Sequence, residues 1–277
     1  MNKRVLLLVG LLIVVLIGIS IFVNNNEKND DQDLNIYFFE AGKADSAIIY
    51  NEEFAVLIDT GEKELGDTIL DYLNKQGIKK LDYLIITHFD KDHVGSASKI
   101  INNIEIGKVI QSNYPKESNV YTKYLESLEQ KKITPITLRD NLYLNLGEVQ
   151  FNIIPPEEEE YSEKPSNNSS LIVSVKYKDN KFLFMGDAEN LRIAEYLKTH
   201  TDEYNLIKVP YHGHYQVELN SLINIVNPNY AVITSSNEEM EDTETLKILK
   251  NNNVIYYVTR EGSILVTSDG TNINIKQ

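Results

Sequence analysis

The chain has 277 residues, 27 of them basic and 41 acidic, for a formal net charge of −14, and it contains no cysteine. A surface so acidic repels polyanions at long range and counts against tight binding of duplex nucleic acid. Without cysteine there is neither a disulfide framework nor a lipid-modified cysteine anchor, so the folded body must rest on its own core.

The chain opens with Met1-Asn2-Lys3-Arg4, followed by an uncharged apolar run from Val5 to Val23 and a polar stretch up to Asp33. At about 1.5 Å per residue, such a run matches the hydrocarbon core of a bilayer. It leaves through Ile21-Phe22-Val23-Asn24 without a small-x-small cleavage pattern. Its length and this exit favour a retained signal anchor over a cleaved signal peptide, with secretion after cleavage as the alternative. Lys3 and Arg4 place the N-terminus in the cytoplasm and the rest of the chain outside. The expected organisation is an anchor over 1–23, a linker over 24–33 and one folded body over 34–277.

Within the body, Leu34–Phe39, Ser46–Tyr50 and Phe54–Ile58 read as short strands. Leu65, Ile69, Leu70 and Leu73 share a helical face, with Gly77 placed to cap it. Leu81–Thr87 reads as a central strand, and helices follow around Ile100–Ile104 and Val120–Leu128. Strands return at Leu142–Leu144, Val149–Ile154, Leu171–Tyr177 and Lys181–Met185. After a helix containing Leu191–Leu197, the chain reads as strand Leu206–Val209, helix Leu219–Val226, strand Tyr230–Ile233 and helix Glu244–Leu249. Strands Val254–Val258 and Ser263–Val266 close it. Two half-sheets packed face to face with helices outside fit this order, an α/β layered fold.

The stretch His88-Phe89-Asp90-Lys91-Asp92-His93 concentrates two of the five histidines directly after an apolar strand. Ligand sites of layered α/β folds gather where such strands end. Imidazole and carboxylate together suit a divalent ion, and carboxylate-rich sets lean toward harder ions such as Mn²⁺. An exposed turn with an incidental ion pair is the plain alternative, and a buried unpaired cluster would be costly.

This stretch resembles the H-x-H-x-D-H signature of the metallo-β-lactamase superfamily, with Asp90 in place of the second histidine. That variant is typical of the extracytoplasmic hydrolase domain of ComEC-type DNA-uptake proteins and their free-standing relatives. The other motifs follow in order: Phe38–Ala47, Leu57-Ile58-Asp59-Thr60-Gly61, Asn167–Leu171, Phe184-Met185-Gly186-Asp187 and Leu206–Gly213. The resemblance implies a four-layer αββα sandwich and two divalent ions, Mn²⁺ or Zn²⁺. One ion would take Asp92, His93 and His212 with Asp187 bridging; the other would take His88, Asp90 and Asp187. The third histidine of the second site has no counterpart here, and Asn168 and Ser170 are candidates to replace it or merely to start a strand. Asp59 and Asp45 are expected to orient ligands from behind.

The chain departs from the family pattern in places. Tyr211 stands for the first histidine of H-H-G, His214 stands for a serine, and Gly95-Ser96 stands for a glycine pair. The loop Glu238–Thr243 carries no histidine. Tyr211 and His214 are therefore candidates to act beside Asp92 and Asp187 in catalysis, while His200 reads as a surface residue ending a helix.

The functional expectation is a membrane-anchored, extracytoplasmic hydrolase of phosphodiesters, with single-stranded DNA a candidate substrate and residues 5–23 holding the membrane. The alternatives are a hydrolase of a small ester, lactone or cell-envelope phosphoester, and a degenerate module that only binds a partner. The channel of ComEC-type proteins is built from many membrane helices, so a transport role would need another protein.

Overall fold

The structure, a computed structural model, describes residues 33–277. The apolar run 5–23 lies outside the described residues, and among those described no helix is long and apolar enough to cross a membrane.

Residues 34–138 supply most of one sheet. Strands β1 (Leu34–Phe38), β2 (Ala47–Tyr50), β3 (Ala55–Ile58), β4 (Lys80–Ile86), β5 (Glu105–Gln111) and β6 (Ile136–Thr137) lie side by side. β1 to β3 run antiparallel, whereas β3 to β6 are parallel and are joined by helical crossovers. The helices are α1 (Gly66–Lys75), α2 (Lys91–Val94), α3 (Ala97–Asn103) and α4 (Asn119–Lys131). α1 ends as its glycine foretold: Gly77 has φ +74°, and the next amide, Ile78, bonds back to Leu73 O at 2.9 Å.

The second sheet begins with β7 (Leu142–Leu146), β8 (Val149–Ile154), β9 (Ile172–Tyr177) and β10 (Asn180–Phe184), all antiparallel. It continues in parallel through β11 (Leu206–Lys208), β12 (Tyr230–Ile233) and β13 (Ile255–Val258). A short helix α5 (Pro165–Asn168) precedes β9, and α6 (Asn190–Thr199), α7 (Leu219–Val226) and α8 (Thr243–Asn251) make the crossovers. The chain then returns to the first sheet through β14 (Ile264–Ser268) on β1 and β15 (Ile273–Lys276) on β14.

The period-two pattern of the strands explains the layers. Ile36, Phe38, Ile49, Val56 and Ile58 of the first sheet meet Phe151, Ile153, Val173, Val175 and Phe182 of the second in the central core. Alternate residues such as Ile48, Leu57, Leu84 and Ile86 face outward onto α1, α3 and α4. Ile172, Leu183, Ile207 and Ile233 do the same toward α6, α7 and α8. Each fully buried aliphatic side chain contributes roughly 1.5–3 kcal/mol, so three continuous apolar layers suffice without disulfides. This is the expected αββα sandwich.

Four elements escape the sequence reading: β5, β6, α5 and β15. In β5 (EIGKVIQ) only the second half is continuously buried, and its glycine and charges mask the strand. β15 is an edge strand whose residues are all at least partly exposed.

Candidate metal centre

The cluster forms where five parallel strands end. Asp59 follows β3, His88 follows β4, Asp187 follows β10, His212 follows β11 and Thr234 follows β12. The ligand candidates therefore come from both sheets and converge on the rim of the sandwich.

Backbone geometry delivers them. Asp59, Tyr211 and His212 adopt left-handed φ values of +55°, +49° and +54°, conformations disfavoured for side-chain-bearing residues and concentrated at functional sites. Gly186 has φ +52°, and a Cβ there would lie 3.0 Å from that of Ser170 and 3.2 Å from that of Thr87. Only glycine lets β10 turn Asp187 inward at that point.

Asp187 sits amid the three imidazoles. Its Oδ1 is 3.2 Å from His93 Nε2, and its Oδ2 is 3.2 Å from His212 Nε2 and 3.9 Å from His88 Nε2. Asp92 Oδ2 reaches His212 Nε2 at 3.5 Å. Asp92, His93, Asp187 and His212 offer ligand atoms that all lie within 4.8 Å of one another. All three histidines are buried, yet each Nε2, together with Asp187 Oδ1, lacks an aligned hydrogen bond. Buried polar atoms without partners are costly, and four of them aimed at one point fit a divalent ion. Two imidazoles and two carboxylates are an ordinary donor set for zinc and are accepted by Mn²⁺ as well.

The Nδ1 side of each ring explains why Nε2 is the free atom. Asp59 accepts the Thr87 hydroxyl proton at 2.7 Å and lies 2.8 Å from His93 Nδ1. A carboxylate only accepts, so His93 Nδ1 carries the proton. Thr87 Oγ1, its own proton given to Asp59, lies 3.2 Å from His88 Nδ1 and accepts from it. Thr234 repeats the device: it donates to Asp45 at 2.5 Å and stands 3.1 Å from His212 Nδ1. In all three rings Nδ1 carries a proton and Nε2 points into the cluster, the orientation a metal ligand needs once Nε2 is deprotonated.

Asp45 is thus no plain turn residue. It is buried, forms an ion pair with the buried Lys208, and lies 3.4 Å from His212 Nδ1. Asp45, Asp59 and His93 also form a carboxylate–imidazole group of their own. Their oxygens are already committed to Lys208, Thr87 and the imidazole protons, so this group orients ligands.

Charges are tightly balanced. Burial resists ionisation of Asp187, but His212 and His93 beside it hold its carboxyl well below the usual range. Asp92 is lowered in the same way, burial being outweighed by His212 and His93. Burial likewise opposes charge on His212, yet Asp187 and Asp45 push it up to about 10, and Asp187 and Asp59 raise His93 well above its ordinary value. Burial and the neighbouring His93 push His88 down instead. An arriving ion must therefore displace protons from His93 and His212.

Other expected residues have different places. Asn168 cannot complete the second ion's shell: its Oδ1 accepts from Glu189 N and Arg192 N at 3.1 Å, starting α6, and its Nδ2 donates to Glu163 O. Ser170 instead lies behind the cluster, 3.3 Å from His88 Nδ1, and accepts from Asp187 N at 3.1 Å. Tyr211 lines the groove over the cluster, and burial with Glu189 nearby raises its hydroxyl, which keeps its proton and can donate. His214 packs its ring 4.9 Å from that of Tyr211 and faces Asp242 at 3.8 Å, rather than turning to Asp187. Ser96 binds the carbonyls of Glu62 and Lys63 at 2.6 and 3.0 Å, a task a second glycine could not perform. In the loop without histidine, buried Glu241 is fixed by Ser235 and Arg260. His200 stacks on Tyr196 at the end of α6, away from the ligands.

Lys116 and Ser166 are absent from the sequence reading. Lys116 Nζ lies 2.6 Å from Asp90 Oδ1, and the Ser166 hydroxyl donates to the same oxygen. Both stand in polar loop or single-turn segments without periodicity, so no pattern marks them. Thr87 and Thr234 carried a faint signal, a hydroxyl closing an apolar strand.

A buried histidine–carboxylate cluster at the strand ends of an αββα sandwich defines the class of metal-dependent hydrolases. The chain belongs to the metallo-beta-lactamase superfamily, whose profile matches residues 40–235. It is similar to ComE operon protein 3 of Bacillus subtilis, 26% identical over 231 residues, covering 76% of this chain and 29% of that protein. It is also similar to Recombination protein 2 of Haemophilus influenzae, 26% identical over 204 residues, covering 71% of this chain and 23% of that protein. The chain thus spans less than a third of either relative. Among solved structures, the metallo-beta-lactamase fold protein YhfI from Bacillus subtilis superimposes with a TM-score of 0.59 at 7% identity, over 85% of this chain and 100% of that one. Igni18, a metallo hydrolase from Ignicoccus hospitalis, gives 0.54 at 15% identity, over 88% and 99%. These likenesses concern the fold alone.

Proposed function

We propose that this chain is a metal-dependent phosphodiesterase, held at the membrane by residues 5–23 with its hydrolase body outside the cytoplasm and acting on phosphodiesters such as single-stranded DNA. The observation that carries the substrate class is the groove over the cluster. It encloses about 900 Å³ and is lined by Lys43, Lys91, Lys116 and Lys164 beside Asp90, Asp92, Glu117 and Asp187. Lys43, Lys91 and Lys116 are paired with Glu239, Glu62 and Asp90. Yet four ammonium groups around one mouth, on a chain of net charge −14, still give a phosphate donors to meet where the bulk surface offers mostly carboxylates. Tyr114 and Tyr211, both partly exposed, line the same groove and offer faces on which bases can stack.

The division of labour follows from the geometry. Asp92, His93, Asp187 and His212 would hold the ion. When bound, such an ion polarises a phosphoryl oxygen and makes water a better nucleophile at neutral pH. Asp59, Thr87, Asp45 and Thr234 keep the imidazoles in the ligating tautomer. The lysines draw the substrate's phosphates into the groove, and Tyr211 can donate its proton in a hydrogen bond to a substrate oxygen.

The test is turnover of metal-free and reconstituted full-length protein, in detergent, on a chromogenic phosphodiester, labelled single-stranded DNA and a lactone. Expected is metal-restored cleavage of the phosphodiesters that is lost in Asp187→Ala. Turnover of the lactone alone sinks the substrate assignment, and an active, metal-loaded Asp187→Ala sinks the site. Protease accessibility in intact cells tests the placement of the body.

A further inference from the structure

The two halves of the cluster are unequal. On one side, Asp92, His93, Asp187 and His212 converge closely enough to hold an ion. On the other stand His88 and Asp90, and among the described residues they belong to no metal-binding group. His88 Nε2 is 3.8 Å from Asp90 Oδ1, and that same oxygen receives both the Lys116 ammonium and the Ser166 hydroxyl. The Asp187 oxygen nearest His88 is closer to His212, at 3.2 Å against 3.9 Å.

We propose that the Lys116 ammonium, in place of a second divalent ion, is the cation of the His88–Asp90 half, so that each chain holds one ion. Three features converge. The Asp90 oxygen facing His88 has its lone pairs taken. No further ligand completes that half, since Asn168 is turned to α6. A divalent ion there would lie next to an ammonium already 2.6 Å from its carboxylate, and like charges at such range repel. Lys116 extends from the loop between β5 and α4, and about a third of its side chain is exposed to the groove. An ammonium has three donors; one is spent on Asp90, which leaves two to meet a phosphate oxygen. The substrate would thus lie between a metal ion on one side and a lysine on the other, a built-in counterpart of the two-ion clamp.

This inference deepens the proposed function and rests on its metal site, but its test needs no substrate. Full-length protein is stripped, reloaded with excess Mn²⁺ and desalted; bound metal is then counted, and the Mn²⁺ paramagnetic resonance spectrum recorded. Expected is one ion per chain with the spectrum of an isolated centre. Lys116→Met should take up a second ion and show a spin-coupled pair, while Lys116→Arg, which keeps the charge, should stay at one. Circular dichroism checks that both variants fold, and the wild-type count decides alone should either fail. Two ions in the wild type, or a Lys116→Met variant that folds and still holds one, overturn the proposal. No bound ion in any form overturns the metal site itself, so the two failures are distinct.

Discussion

Three histidines aim their Nε2 atoms at one point because oxygens behind them hold each Nδ1 proton, and two of those oxygens belong to threonines. Partners behind metal ligands typically govern affinity by 10–100-fold. Thr234→Val should therefore weaken metal binding by about that factor without unfolding the protein, as read by chelator competition; unchanged affinity would remove Thr234 from the site. Protonation gives a second expectation. His212, raised to about 10, contributes stability that is complete below its unfolded value near 6.5 and is lost as pH rises through about 10. His93, also raised, works in the same direction. The melting temperature of metal-free protein should fall between pH 6.5 and 10. Metal-loaded protein, whose imidazoles are already deprotonated, should lack that decline. At this scale the gathering of His88, Asp90, Asp92 and His93 was legible in the sequence, because histidine and aspartate have few other reasons to cluster after an apolar strand, whereas Asp187 and His212 were reached only through the family resemblance. Lys116 was not, since a lysine in a loop is ordinary until the fold sets it against Asp90, 26 residues away.

Helix α6 shows how the buried face of an outer element holds the site in place. Arg192 is buried and donates to Ser170 O at 3.2 Å and Ile154 O at 2.8 Å while pairing with Glu195. Glu195 in turn accepts from the Tyr161 hydroxyl at 2.5 Å. The guanidinium thereby ties α6 to the start of β9, where Ser170 supports Asp187. Removing one member of a buried ion pair strands the other, at a cost of about 3–5 kcal/mol. Arg192→Met should lower the unfolding free energy by that amount in urea titrations, and adding Glu195→Leu should restore part of it. If Arg192→Met is neutral, the pair does not hold the helix. Strands with clean alternation, such as β1 and β8, were readable to within a residue, since one buried face imposes its period. β5 and β15 were hidden because their burial comes from neighbours that only the finished sheet supplies. α5 is a single turn starting at Pro165, too short for any periodicity.

For the whole molecule, composition told of an acidic particle and said nothing about where its lysines gather, because averaging erases position. Order along the chain did better: strands, then helices alternating with strands, twice over, foretold the layered sandwich. The position of the cluster has a consequence for how the protein opens. His88, Asp92 and His93 ride on the first sheet, Asp187 and His212 on the second, and the two sheets are otherwise joined mainly by apolar packing, which has no fixed direction, with a few hydrogen bonds such as Thr234 to Asp45 and Ser112 to Ser169 O. A bound ion is a directional strut between them, and it stabilises only conformations in which both are docked. In the stripped protein, amides of β4 and β10 should exchange with deuterium through separate partial openings. Once the ion is in place they should exchange at one common, slower rate, because neither half can then loosen without first breaking metal–ligand bonds. Identical exchange with and without metal would mean that the sheets hold together unaided. On this view the ion is the last fastener of the fold, and a cell that withholds it keeps a looser protein as well as an idle one.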